Sequence, residues 1–282
     1  MSRLNAAFLL SLVPVLAGCL TIPLEEDGVF QAERTVTPGD FDVPGLTLEV
    51  LSIPVADGVT LDAWWMRHDD PRATVLYFGG QGFLLVKARA TLEALAAQRM
   101  NVLAFDYRGY GRSDGTPSVE ALKDDARVVY DTLVARPGVD PGRLIAHGHS
   151  MGSFVATALA TERPVPALVL ENPATDVEGL TSALIPLLLR PFVRFDIAEP
   201  LRGESNVERL RALPGVALLV AGGENDVITP PALARDLHDE AATDRKTLVI
   251  ASGRGHNDIT ASEDFAEAFD AFLDRHVAPP AP

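Results

Sequence analysis

Cysteine is all but missing from this chain: Cys19 is the single one in 282 residues, so no internal disulfide can form and no second thiol competes with it. Basic side chains are also few. There are 24 Lys and Arg against 39 Asp and Glu, a formal net charge of −15, and no Lys/Arg-rich run appears anywhere. A surface that neutralises phosphates needs such clusters, so nucleic acid is excluded as a partner, as is docking on anionic lipid through charge alone. No apolar stretch reaches the ~20 residues that a spanning helix requires. Internal repeats and low-complexity tracts are missing too, and no His/Cys cluster has the spacing of metal ligands. What remains is the ordinary balance of a globular protein, 47% apolar and 22% charged, in a chain long enough for one large domain with a well-buried core.

The first residues are a separate object. Arg3 precedes an apolar run from Ala6 to Ala17 and then small residues, the pattern of a secretory signal. Its end, Leu16-Ala17-Gly18-Cys19, resembles the bacterial lipobox, in which the cysteine is lipidated and becomes the first mature residue. That resemblance implies a signal peptide over 1–18 and lipidation at Cys19. It also implies a location in the bacterial cell envelope, facing the periplasm and held on a membrane by the anchor. Leu20 follows, and it is not the Asp that retains some lipoproteins at the inner membrane, so the outer membrane is the expected address. Residues 19–45 are rich in Pro, Gly and acids without clear periodicity and read as a tether.

Beyond the tether, short apolar runs alternate with helix-period segments. Leu46–Val55 and Val59–Arg67 alternate apolar with polar residues around Ala56-Asp57-Gly58, a hairpin signal. Six further runs follow: Thr74–Phe78, Val102–Phe105, Leu144–Ala146, Ala167–Leu170, Val216–Val220 and Thr247–Ile250. Continuous apolar runs of this length suit strands buried on both faces. Between them Leu84–Arg99, Ser118–Arg136, Met151–Glu162, Pro231–Ala242 and Ser262–His276 have helical period, with Ser118 placed as an N-cap. This alternation predicts an α/β fold with a mostly parallel, eight-stranded sheet covered by helices on both faces. The domain spans 46–276, with 277–282 as a tail. Residues 174–205 break the alternation, and their apolar, Pro-interrupted stretch SALIPLLLRPFVRF predicts a short helical lid.

The stretch AHGHSMGSF from Ala146 to Phe154 sets Ser150 between Gly148 and Gly152, after a buried strand and before a helix. At such a turn the serine must take strained backbone angles, and glycines two residues away on each side avoid the collisions that would follow. A nucleophile placed so needs a base, an orienting acid and donors for an oxyanion. His256 follows the last strand in a Gly-rich loop and is the base candidate. His238 and His276 lie on helices, His68 lies beyond the second strand, and His147 and His149 flank the turn. Asp226 follows another strand tip in Gly222–Pro230 and is the acid candidate, with Glu224 as the local alternative. One oxyanion donor is the backbone N–H of Met151. The other falls in Tyr77-Phe78-Gly79-Gly80-Gln81-Gly82, where Gln81 is the choice.

These motifs, with Asp106–Ser113 after the fourth strand and Glu171-Asn172-Pro173 after the sixth, make the chain resemble an α/β-hydrolase. Within that superfamily it is similar to the small-lid group of serine-aminopeptidase-like and monoacylglycerol-lipase-like enzymes. The resemblance covers roughly residues 45–276 and departs at Gly79, where many relatives carry His. It implies a serine hydrolase acting through an acyl-enzyme on Ser150, with no metal and no organic cofactor. The apolar lid residues Leu184, Ile185, Leu187–Leu189, Phe192 and Phe195 favour a small acyl substrate, a carboxylic ester or monoacyl lipid. An aminopeptidase is the nearest alternative, with Glu171, Glu178 or Asp176 as anchor for a free amino terminus. A non-catalytic envelope lipoprotein on the same scaffold is the other.

Overall fold

The computed structural model describes residues 20–30, 32–33 and 46–277. In chain order they form β1 (Leu20–Leu24), α1 (Glu26–Val29), β2 (Leu46–Pro54), β3 (Thr60–His68), β4 (Ala73–Phe78), α2 (Arg89–Ala97), β5 (Met100–Phe105) and α3 (Val119–Val134). There follow β6 (Leu144–His149), α4 (Gly152–Glu162), β7 (Ala167–Glu171), α5 (Val177–Leu184), β8 (Val193–Ile197), α6 (Asn206–Arg211), β9 (Ala217–Gly223), α7 (Pro231–Glu240), β10 (Lys246–Ala251) and α8 (Glu263–His276).

Eight strands make the main sheet in the order β10-β9-β7-β6-β4-β5-β3-β2. Strand β3 is antiparallel to both its neighbours, and all other pairings are parallel. The central strands β4, β6, β7 and β9 are buried almost end to end. Alternate residues of each feed two cores. Leu76, Phe78, Leu144, Ala146, Leu168 and Leu218 face the side covered by α3, α4 and α7. Val75, Tyr77, Ile145, Val169 and Leu219 face α2 and α8. That two-sided burial is why these strands read as continuous apolar runs rather than alternating ones. Helix caps fall where serines precede the helical period: Ser118 accepts from the Ala121 N–H and Ser262 from the Phe265 N–H.

The structure differs from the sequence expectation in four places. The segment expected to be a helix from Leu84 opens as a 3₁₀ turn over Leu85–Lys87, where the Leu85 N–H donates to Asp106 Oδ1 at 2.8 Å, and the α-helix starts only at Arg89. Helix α6, six residues capped by Ser205, joins the lid to β9 and has too short a period to be seen in sequence. The lid is not wholly helical: α5 ends before Pro186, and after Pro191 the chain returns as strand β8. That strand pairs in parallel with β1, Leu20 opposite Val193 through Leu24 opposite Ile197. The first part of the expected tether is therefore built into the fold. Its α1 side chain Glu26 also accepts from the Val119 N–H at the start of α3. Cys19, the signal segment 1–18 and residues 34–45 lie outside the described residues.

Candidate active site

Ser150 occupies the turn between β6 and α4 with φ +51°, a left-handed conformation that costs a non-glycine residue energy. The two flanking glycines make the turn possible. A Cβ on Gly148 would lie 2.5 Å from Gly152 O, and one on Gly152 would lie 2.1 Å from Phe78 O. The Ser150 N–H donates to Glu171 O at 2.9 Å, tying the turn to the neighbouring strand β7.

His256, in the loop after β10, points Nε2 at Ser150 Oγ across 2.9 Å and Nδ1 at Asp226 Oδ2 across 2.7 Å. The three side chains expected as nucleophile, base and acid thus form one continuous relay. Glu224 lies elsewhere, with its carboxylate accepting from the Gly253 N–H. Asp226 Oδ1 accepts from the Ile228 and Thr229 N–H groups at 2.8 and 3.0 Å. Burial pushes its carboxyl up, but the hydrogen bonds from His256 and Thr229 outweigh that and hold it below its ordinary value. It is an anion facing the imidazole Nδ1, the arrangement that orients the ring and stabilises its protonated form.

Three further residues hold this geometry. Thr229 Oγ1 lies 2.7 Å from Asp226 Oδ2 and 3.1 Å from His256 Nδ1, so it braces the contact between them. Asn172, with φ +47°, donates from Nδ2 to His256 O at 2.7 Å and to Gly255 O at 3.1 Å, and accepts from the Gly223 N–H. It pins both loops to the end of β7. His149 Nε2 also bonds His256 O, at 2.8 Å. Burial is the largest influence on His149 and holds it below the ordinary imidazole value, which leaves it neutral at pH 7. In sequence Asn172 stood out only within the Glu171-Asn172-Pro173 motif, because Asn172 and His149 lie over fifty residues from the partners they hold.

Gln81 and Met151 line the same cavity as Ser150. Their loop can approach because of Gly80, on which a Cβ would lie 2.8 Å from His149 Nδ1 and 3.2 Å from Ser150 Cβ. Gly79, the departure from the family pattern, is filled from elsewhere: a Cβ there would lie 2.0 Å from the ring of Phe83. The Tyr107 hydroxyl donates to Gly79 O at 3.0 Å, so the Asp106–Ser113 loop supports this turn from beneath.

The cavity holds about 270 Å³ and is mainly apolar, with Phe154, Val177, Leu180 and Phe195 among its walls. Of the lid residues expected to face it, Leu184 and Phe195 do. Ile185 is buried in the lid, and Leu187, Leu188, Leu189 and Phe192 point to solvent. An unexpected wall comes from the N-terminal segment, through Leu24, Val29 and Phe30. Gln81 Nε2 donates to Val29 O at 2.6 Å and ties that segment to the turn after β4. The acid on the lining is Glu204, already paired with Lys123 at 3.1 Å and Arg209 at 2.6 Å.

The acids expected to anchor an amino terminus are placed otherwise. Glu171 is buried between His147 Nε2 at 3.1 Å and Thr260, whose hydroxyl donates to it at 2.6 Å. Burial would raise its carboxyl, but these bonds and the neighbouring imidazoles bring it well below its ordinary value. Asp176 caps α5 by accepting from the Gly179 N–H, and Glu178 is exposed on that helix. Among the described residues no group of three His, Cys, Asp or Glu side chains is placed to hold a metal ion.

Fold and site together define a serine hydrolase of the α/β type. The chain belongs to the α/β-hydrolase superfamily. A family model described as serine aminopeptidase, S33, matches residues 69–205, which include Ser150 and the lid. An uncharacterised protein of Mycobacterium tuberculosis is 33% identical over 209 residues, covering 73% of this chain and 71% of that one. The lysophosphatidylserine lipase ABHD12 of Rattus norvegicus is 34% identical over 165 residues, 54% of this chain but 41% of that protein. Among solved structures, the Pyrococcus furiosus esterase Pf2001 superposes with a TM-score of 0.69 over 89% of this chain and 98% of its own, at 20% identity, a likeness of fold.

Proposed function

We propose that this protein is a lipid-anchored serine hydrolase of carboxylic esters, monoacyl lipids among them. The observation that carries the reading is the Ser150–His256–Asp226 relay opening onto an apolar cavity. In the reaction, Ser150 Oγ attacks the ester carbonyl carbon as its proton passes to His256 Nε2. The backbone N–H groups of Gln81 and Met151 receive the oxyanion. The tetrahedral adduct collapses, the alkoxide leaves with the proton from His256, and the acyl group stays on Ser150. Water then repeats the sequence, giving its proton to His256 and releasing the acid.

An ester substrate is favoured over an aminopeptidase substrate because, among the described residues, no unpaired carboxylate lines the cavity to receive an ammonium group: Glu204 is already neutralised by Lys123 and Arg209. A relative named a lysophosphatidylserine lipase supports the lipid side of the reading. Turnover of p-nitrophenyl esters compared with aminoacyl nitroanilides separates the two. Esters should be cleaved and anilides left intact, and the reverse would overturn the assignment. Ser150→Ala should lower kcat on the order of 10⁴–10⁶ with the fold unchanged by circular dichroism. Near wild-type turnover by that variant would remove Ser150 from the role. The lipobox-like Cys19 supports the anchor, and incorporation of labelled palmitate tests it.

A further inference from the structure

We propose that the exposed apolar face of the lid, Leu187, Leu188, Leu189 and Phe192 with Leu20 beside them, is the surface on which this protein lies on the bilayer holding its own anchor. The proposal rests on the reading of Cys19 as lipidated and is independent of the choice between ester and peptide substrates.

Single exposed leucines are ordinary on protein surfaces, but these are grouped. Leu187 and Leu188 are 74% and 86% exposed, and Leu184, Leu189 and Phe192 are each 49% exposed, all within one short stretch of the lid. Hydrogen bonds from the Leu189 N–H to Pro186 O and from the Phe192 N–H to Leu189 O hold that stretch in turns that present the side chains outward. A patch of this kind marks a surface that meets something apolar.

The position of the chain start says what that is. The Leu20 N–H donates to Phe192 O at 2.7 Å, at the start of the ladder between β1 and β8. Cys19 immediately precedes Leu20 in the chain. Acyl chains carried by Cys19 would enter the bilayer one residue along the chain from the contact between Leu20 and Phe192. Strand β1 is in turn fixed by its pairing with β8, and the α1 segment by Gln81 Nε2 on Val29 O and by Glu26 on the Val119 N–H. A bilayer that takes up the acyl chains therefore meets this face of the lid.

Charge does not oppose the contact. From Gly179 to Phe195 the lid contains Arg190 and Arg194 and no acid, in a chain with a net charge of −15. The exposed stretch also borders the cavity. Leu184 belongs to the exposed stretch and also lines the cavity, as does Ile228, 45% exposed, in the Asp226 loop. An acyl chain leaving the bilayer would reach Ser150 without crossing water.

The test uses the full-length lipidated protein in vesicles of phosphatidylethanolamine and phosphatidylglycerol, with and without brominated acyl chains. The native Trp64 and Trp65 are buried and give a constant background. Leu188→Trp should be quenched severalfold by the brominated lipid, while Val50→Trp, exposed on strand β2, should not. Palmitate label is read on the same samples. Label without quenching of the Leu188→Trp protein overturns this proposal alone, and absence of label overturns it together with the anchor. Emission that shifts with protein concentration in detergent, without lipid, would assign the face to a second copy of the chain and overturn the proposal. Leu187→Glu with Leu188→Glu, neither of which lines the cavity, should lower turnover of vesicle-borne monoacylglycerol roughly tenfold and leave p-nitrophenyl acetate hydrolysis unchanged.

Discussion

Ser150 keeps its left-handed backbone because carbonyl oxygens stand where side chains of Gly148 and Gly152 would be, and the Ser153 N–H and hydroxyl both hold its own carbonyl. The cost is local, and it places Oγ within reach of His256. A second buried residue nearby carries a different kind of strain. Burial, with Asp62 adding to it, raises the Asp106 carboxyl to about 6 from an ordinary 3.8, against donors from the Leu85 and Arg112 N–H groups. A folded value above the unfolded one favours the neutral form, so this stabilisation is complete below about pH 4 and disappears as pH climbs through 6. Stability should therefore fall on the order of 3 kcal/mol across that window. Asp106→Asn, neutral throughout, should lack this share of the slope. Urea midpoints of both proteins from acid to neutral pH will decide, and parallel curves would mean that Asp106 does not sense burial as described.

At the scale of elements, the lid and the N-terminal strand work as a pair. Neither five-residue strand has another partner in the main sheet, and a lone strand is not stable, so β1 and β8 depend on each other. Their pairing brings Leu24 and Phe195 to the wall of the cavity. Leu24→Ala and Phe195→Ala should lengthen the preferred acyl chain by a methylene or two, each methylene being worth about 1–3 kcal/mol in a snug pocket. Leu24→Trp should shorten it. Comparing kcat/KM across p-nitrophenyl esters from acetate to dodecanoate tests this, and an unmoved optimum in all three variants would reduce the strand to a packing role. Leu188→Ala, outside the cavity, should leave the optimum where it is. Helices tell the complementary story: Ser118 was legible as a cap because capping is a contact within three residues.

For the whole molecule, the proposed anchor at Cys19 would decide location. Two or three acyl chains there would contribute about 0.8 kcal/mol for each buried methylene, enough to retain a protein whose net charge disfavours anionic lipid. Cys19→Ser should carry no palmitate and should leave the detergent-dependent fraction or stall in processing. A wild-type protein found soluble and unlabelled would remove the anchor while leaving the hydrolase chemistry of Ser150 intact.

What the order of residues determined by itself was local and periodic. Eight strands, the two-sided burial of the central ones and the strained glycine-flanked turn at Ser150 were all written in short windows, since backbone geometry and alternation act over a few residues. The positions of Asp226 and His256 at strand tips were legible for the same reason. Tertiary structure decided whatever depends on distant partners. Asn172 and Thr229 brace the His256 loop from other strand ends, Glu171 is consumed by His147 and Thr260, and Phe83 fills the room left at Gly79. It also turned the first residues after Cys19 from an expected tether into a strand, because β-pairing needs a second edge and the folded lid supplies one at Val193–Ile197.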